Sequence, residues 1–182
     1  MMMQSRQGGA EKRMILRRVL IYGAAAFILG VLQCSFFSRL KPFGATPDII
    51  LGSLCAVSML DNKKAAAIYA VGAGYFIDSI GATAPSFGAM FYLLCAVLAS
   101  ALAEKLIPRF FSYALMLLPL LVCRAVYTYL CLWLSAGELP PIGLSFGIIL
   151  PEAISTFILC LPVFFLIKLC TLPIGARGRF TF

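Results

Sequence analysis

The chain has 182 residues, of which 62% are apolar and only 12% are charged, and its mean hydropathy is +1.00. Soluble domains carry about a quarter charged residues, so this composition predicts a membrane protein. Histidine is absent, which excludes a Ser-His-Asp triad and any His-ligated metal site. The net charge of +8 is typical of basic groups that flank membrane spans, and we predict no nucleic-acid partner.

Apolar segments of helical length occur six times along the chain. A bilayer core of about 30 Å takes roughly 20 helical residues, so the second segment is short for a membrane span. Before the second segment, Thr46 is the expected N-cap and Pro47 the first helical residue. Pro151 and Pro162 predict kinks in the last segment. The six predicted helices cover residues 19–38, 46–60, 65–80, 87–103, 110–136 and 146–170.

The distribution of Lys and Arg predicts an orientation. If both termini are cytoplasmic, 12 Lys and Arg residues flank the cytoplasmic side and only two lie in the opposite loops. Such a bias is the usual signature of membrane topology. We therefore predict an all-α polytopic membrane protein with six transmembrane helices, N-in and C-in. Its parts are a basic cytoplasmic N-terminus (1–18), one membrane domain (19–170) and a basic cytoplasmic tail (171–182).

Four ionisable residues lie inside or at the ends of the predicted spans, namely Asp48, Asp78, Arg124 and Glu152. A helical rise of 1.5 Å per residue places all four in the outer half of the membrane. Charges at such depth are costly and mark candidate sites. We predict that Arg124 hydrogen-bonds Glu152. Asp48 is expected to complement the positive end of its helix.

Two of these acids have further interpretations. Asp78 is expected to accept backbone N–H groups of the 81–88 turn as a structural clamp, with transport or proton chemistry as the alternative. Glu152 follows Pro151, and it is also a candidate cap for a broken helix end. The seven cysteines lie in apolar runs without a C-x-x-C motif, so we predict no disulfide and no metal. We also predict no cofactor, and the seven scattered carboxylates leave little for hydrolytic chemistry.

Small residues recur at helical spacing in two of the spans. Ala66, Ala70 and Gly74 follow one another every four residues, and Ala26 and Gly30 form a second such pair. Small-xxx-small faces let helix backbones approach closely in lipid. We expect internal packing of the bundle here, with docking of a partner helix as the alternative.

Several short motifs follow one another in a fixed order along the chain. They are Leu32-Gln33, Pro47-Asp48-Ile49-Ile50-Leu51, Gly72-x-Gly74-Tyr75-Phe76-x-Asp78, Gly81, Ser86-Phe87-Gly88 and Phe91-Tyr92-Leu93. This order resembles the rod shape-determining protein MreD family of bacterial inner membranes. Cys34 replaces the polar residue usual after the glutamine, and Arg124 and Glu152 match no part of the family pattern.

The resemblance implies a non-enzymatic scaffold subunit of the cell-elongation complex in the bacterial cytoplasmic (inner) membrane. Such a subunit binds MreC and is linked indirectly to the MreB filament and to the peptidoglycan glycosyltransferase and transpeptidase pair. Self-association is left open. The family fold is similar to that of the substrate-binding subunits of energy-coupling-factor vitamin transporters, which is the alternative function. The candidate structural or partner residues are Pro47, Asp48, Gly72, Gly74, Asp78, Gly81, Gly88, Arg124 and Glu152.

Overall fold

The computed structural model describes residues 2–80, 87–137 and 141–171, and the regular structure in these ranges is entirely helical. The predicted all-α class is therefore confirmed. Gly81 and the tail beyond Thr171 lie outside the described residues. The six helices of twelve or more residues in the described ranges are α1 (Met2–Val31), α2 (Ile49–Leu60), α3 (Lys63–Ile80), α4 (Gly88–Ala103), α5 (Phe110–Ala136) and α6 (Ile142–Thr171).

Within the described ranges, three helical stretches are long and apolar enough to cross a membrane: Leu16–Leu40, Phe110–Ala136 and Phe146–Thr171. Helices α2 and α4 are apolar but shorter. Large apolar side chains such as Leu20 and Leu94 are more than half exposed around the bundle. An apolar surface of this extent is costly in water and ordinary in lipid. The chain therefore has the fold of a membrane protein.

Three features of the helices differ from the sequence-based expectation. Helix α1 begins at Met2, so the basic segment 2–18 continues into the first apolar stretch as one helix. The predicted N-cap at Thr46 is wrong, since Asp48 occupies that position and Pro47 precedes the helix. Helix α6 runs unbroken through Pro151 and Pro162. Glu152 therefore does not cap a broken helix end, because no helix ends there.

Helix α1 is followed by a π-helical segment, Leu32–Phe37, and then by a single turn at Ser38–Leu40. A π-helical turn contains more residues than an α-turn, so it changes the direction of the side chains it carries. Here it leaves Gln33 buried against the rest of the bundle. Beyond it, Lys41 and Phe43 have positive φ angles of 40° and 59°, a conformation that costs energy in non-glycine residues.

Helix α2 is the centre of the bundle. All twelve of its residues are buried, and it contacts each of the other five helices. Close approach to α6 requires Gly52, where a Cβ atom would collide with the Cys160 side chain. The Tyr113 hydroxyl donates across the same contact to the carbonyls of Gly52 and Cys160, at 3.1 and 2.8 Å. At about 18 Å, α2 is shorter than a bilayer core and is covered by protein on all sides.

The glycines of the small-residue faces lie at helix contacts. A Cβ atom at Gly74 would lie 2.6 Å from the Cα atom of Ala89, so α3 and α4 touch through their backbones there. A Cβ atom at Gly30 would lie 2.7 Å from the Phe76 ring, where α1 meets α3. These two positions agree with internal packing. Gly72 differs, because it is exposed and a Cβ atom there would meet nothing within 4 Å.

Candidate functional site

The buried start of α2 is held by polar side chains from three parts of the chain. The first N–H groups of a helix lack partners within the helix and need them elsewhere when no water is available. Asp48 caps α2, because its Oδ1 atom accepts the Leu51 N–H at 3.1 Å. Gln33 Oε1 accepts the Ile50 N–H at 3.1 Å. The Asp48 N–H itself donates to Thr156 Oγ1 of α6 at 2.9 Å.

The Asp48 carboxylate is fully buried and is contacted from two further helices. The Tyr92 hydroxyl of α4 lies 2.9 and 2.8 Å from its two oxygens and donates to the carboxylate. Arg124 Nη1 of α5 forms an ion pair with Asp48 Oδ2 at 3.2 Å. Burial of a charge is tolerated when it is paired and hydrogen-bonded in this way. Asp48 is thus the junction of α2, α4 and α5, and not only a complement to the helix dipole.

Arg124 also joins α5 to α6. Its Nε atom donates to Glu152 Oε1 at 2.9 Å, which confirms the predicted pairing. The second Glu152 oxygen accepts from Thr128 Oγ1 at 3.2 Å. The guanidinium carbon lies 5.7 and 5.6 Å from the ring centroids of Phe91 and Tyr127, within cation–π range. We call the residues of this network the Asp48 cluster: Gln33, Asp48, Tyr92, Arg124, Thr128, Glu152 and Thr156.

A small cavity of about 250 Å³ adjoins the Asp48 cluster. Asp78 and Gly88 line it together with Gln33, Tyr92 and Glu152. Asp78 Oδ2 accepts the Ala89 N–H at 3.2 Å, one residue beyond the predicted 81–88 turn. A Cβ atom at Gly88 would collide with the Asp78 carboxylate, so this contact requires glycine. Asp78 therefore joins the end of α3 to the start of α4.

The opposite end of α2 carries a second polar group around an aspartate. Asp61 accepts the Tyr22 hydroxyl at 2.9 Å, and Arg18 Nη1 lies 3.3 Å from its Oδ1 atom. The Asn62 N–H donates to the same carboxylate at 2.8 Å. We call Arg18, Tyr22 and Asp61 the Asp61 cluster. It ties α1 to the loop between α2 and α3.

The predicted site residues separate into two groups. Asp48, Arg124 and Glu152 meet directly, and Asp78 and Gly88 border their cavity. The second group lies away from this site. Pro47 is buried just before the α2 cap, and Gly74 lies at the α3–α4 contact. Gly72 is on the exposed surface, and Gly81 is outside the described residues.

Four members of the Asp48 cluster were not predicted as site residues. They are Gln33, Tyr92, Thr128 and Thr156, all of them neutral. A neutral polar side chain in an apolar run gives little sequence signal, although Gln33 and Tyr92 do belong to the motifs of the family resemblance. Within the part of the chain that the structure describes, no three Cys, Asp or Glu side chains are grouped to hold a metal ion.

No protein-family model, curated protein or solved structure matches the chain. The fold and the site define it as a helical membrane protein in which buried ion pairs and hydrogen bonds join α2, α4, α5 and α6.

Proposed function

We propose that this chain is an MreD-like scaffold: a non-enzymatic subunit of the bacterial cell-elongation complex that binds MreC in the cytoplasmic membrane. The observation that carries the proposal is the convergence of separate motifs on one site. Gln33, Asp78, Gly88 and Tyr92 come from four different motifs of the family resemblance, and all of them line the cavity beside the Asp48 cluster. Asp48, from a fifth motif, is the centre of that cluster.

The pairing of the charged groups with one another also favours a scaffold over an enzyme. Both carboxylates of the Asp48 cluster are engaged, Asp48 by Tyr92 and Arg124 and Glu152 by Arg124 and Thr128. A general acid or base needs a free position toward its substrate. Groups that bond to one another across four helices instead fix the relative positions of those helices. We expect such a protein to present a rigid surface to its partner helices.

The proposed topology has six spans with both termini in the cytoplasm. The six helices of the bundle and the bias of Lys and Arg to one side support it. Reporter fusions at residues 2 and 182 should both be active in the cytoplasm, and a fusion at residue 138 should be active outside. A C-terminal reporter that is active outside would contradict the six-span topology, with the fusion at residue 2 as the internal control.

The scaffold function is tested by co-purification with MreC from the same genome. The tagged chain, co-expressed with MreC and extracted in mild detergent, should retain MreC in a fixed ratio. The control is a tagged six-span protein of another function expressed at the same level. Deletion of the gene in a rod-shaped host should give rounded cells that the wild-type chain restores. Rod-shaped deletion cells, or MreC recovery equal to the control, would contradict the proposal.

The alternative is a substrate-binding subunit of an energy-coupling-factor vitamin transporter, and the cavity beside Asp78 is the feature in its favour. At about 250 Å³ the cavity is smaller than the roughly 300–1,000 Å³ of most ligand pockets, and Arg124 and Glu152 in its wall are bonded to each other. The purified chain should therefore show no saturable binding of water-soluble vitamins by titration calorimetry. Stoichiometric binding of one vitamin, without MreC capture, would favour the transporter.

A further inference from the structure

An open groove runs between α1 and α3 on the surface of the bundle and has a volume of about 770 Å³. Its apolar floor includes Ala26 and Ile68, and the Phe27 and Phe76 rings, 5.3 Å apart, lie at one end. Gly72 widens the groove because it has no side chain. From residue 64 to residue 76 the groove follows α3 for about 18 Å, which is close to the depth of one bilayer leaflet.

The other end of the groove is basic. Arg18, Asn62 and Lys64 line it, and the described residues of its wall include no Asp or Glu. Lys64 is exposed, and in the described part of the chain it has no ion-pair partner, whereas the adjacent Lys63 pairs with Glu104 at 2.7 Å. Arg18 uses Nη1 to contact Asp61, but its Nε atom is buried and has no hydrogen-bond partner among the described residues. The basic end thus holds donors that lack acceptors.

We propose that the α1–α3 groove binds an anionic phospholipid, with the phosphodiester at Arg18 and Lys64 and an acyl chain along the apolar floor. A phosphate oxygen would accept from the exposed ammonium group of Lys64 and would give the 23% exposed guanidinium of Arg18 a second acidic partner beside Asp61. Arg18 lies at the start of the apolar part of α1 and Lys64 lies in the first turn of α3, which is where lipid headgroups meet a membrane protein.

The charges of the groove favour this occupant over others. Phosphatidylcholine and phosphatidylethanolamine would add a positive group beside Arg18 and Lys64, where the described wall offers no carboxylate. An apolar partner helix would cover Lys64, which has no ion-pair partner among the described residues, without neutralising it, and a covered charge of this kind is expensive away from water. An anionic headgroup supplies the missing charge, and its acyl chain fills the floor.

The test uses the purified full chain in phosphatidylethanolamine vesicles with a small fraction of phosphatidylglycerol that carries a photoactivatable acyl chain. We expect labelled peptides from α1 and α3 around residues 23–27 and 68–76. Lys64→Gln should lower this labelling about fivefold, the effect of one basic group near an anionic headgroup. Lys105→Gln removes the same charge from an exposed position outside the groove and should leave labelling unchanged.

A second pair of variants tests the apolar floor. Gly72→Leu places a side chain in the groove at a position where a Cβ atom meets nothing within 4 Å, and it should reduce labelling. Ala101→Leu adds the same kind of bulk to an exposed face of α4 and should not. Equal losses in Lys64→Gln and Lys105→Gln, or equal labelling by photoactivatable phosphatidylcholine, would overturn the proposal. It would also be overturned if Gly72→Cys chains crosslink to each other with loss of lipid labelling, because a second copy would then cover the groove.

Discussion

An aspartate, a tyrosine and an arginine meet at each end of α2, but the two arginines have different partners. At its start, Asp48 is bonded to Tyr92 and Arg124, and at its end Asp61 is bonded to Tyr22 and Arg18. The side-chain exposures nearly match, at 0% and 4% for the aspartates and 22% and 23% for the arginines. Burial therefore does not separate the two clusters.

The difference lies in the partners of each arginine. Arg124 contacts two carboxylates through its Nε and Nη1 atoms and lies over two aromatic rings, so it is held within the bundle. Arg18 lines the α1–α3 groove and contacts one carboxylate, and its buried Nε atom has no hydrogen-bond partner among the described residues. Helix polarity adds to this, because an acid is favourable at the start of a helix and unfavourable at its end. A cluster whose charged groups bond to one another is suited to joining helices. A cluster that contains an unpaired donor is suited to binding a ligand.

The largest expected effect separates the two aspartates. Asp48→Ala should lower the free energy of unfolding by about 3–5 kcal/mol, because it leaves Arg124 and the Tyr92 hydroxyl partly unpaired in the bundle. Asp61→Ala should cost less, about 1–3 kcal/mol, because Arg18 can turn toward headgroups. Both are measured by denaturant unfolding of the detergent-solubilised chain. Equal losses of unfolding free energy in the two variants would contradict this difference between the clusters.

The next largest effect concerns Glu152, the second carboxylate of the Asp48 cluster. Arg124→Ala and Glu152→Ala should each destabilise the chain, and the double variant should be milder than the sum by about 1–3 kcal/mol, because neither charge is then stranded. The same unfolding measurement gives the coupling. Lys63→Ala and Glu104→Ala are the control cycle, since that pair is exposed and should couple by less than about 1 kcal/mol. Additive losses in the Arg124 and Glu152 variants would contradict the network.

The sequence predicts the helices better than it predicts the contacts between them. Hydropathy placed the fifth helix at residues 110–136, the bounds of α5, since long apolar runs have few other folds. Counting residues put Asp48, Arg124 and Glu152 in one layer, and these three do meet. Depth along a helix says nothing about rotation around it, so Tyr92 and Thr156 could not be assigned. The π-helical segment that directs Gln33 inward has no sequence signature comparable to a cap or a proline.

A smaller effect is expected from two glycines on the same helix. Gly74→Ala should destabilise by about 1–3 kcal/mol, because the added carbon meets the backbone of Ala89, which cannot move aside as a side chain can. Gly72→Ala should be neutral or stabilising by up to about 1 kcal/mol, since the site is open and alanine favours the helix. Both are compared by thermal unfolding in detergent. A loss at Gly72 equal to that at Gly74 would contradict the close α3–α4 contact.

The smallest expected effect concerns Asp78, which borders the Asp48 cluster but takes no part in its ion pairs. Asp78→Asn should lower stability by about 1 kcal/mol, because an amide oxygen is a weaker acceptor than a carboxylate for the Ala89 N–H. Gly88→Ala disturbs the same contact from the other side, so the double variant should lose less than the sum.

Ser79→Ala is the control for Asp78→Asn, since that exposed hydroxyl bonds only within its own helix, to Tyr75 O, in the described structure. If Asp78 acts as a clamp between α3 and α4, its loss should lower folded protein and MreC recovery together in the co-purification experiment. If it serves transport or proton chemistry instead, folded protein should stay at the wild-type level while activity is lost. The amount of folded chain therefore decides between the two roles, because the loss of a clamp lowers it and the loss of a transport or proton-transfer group does not.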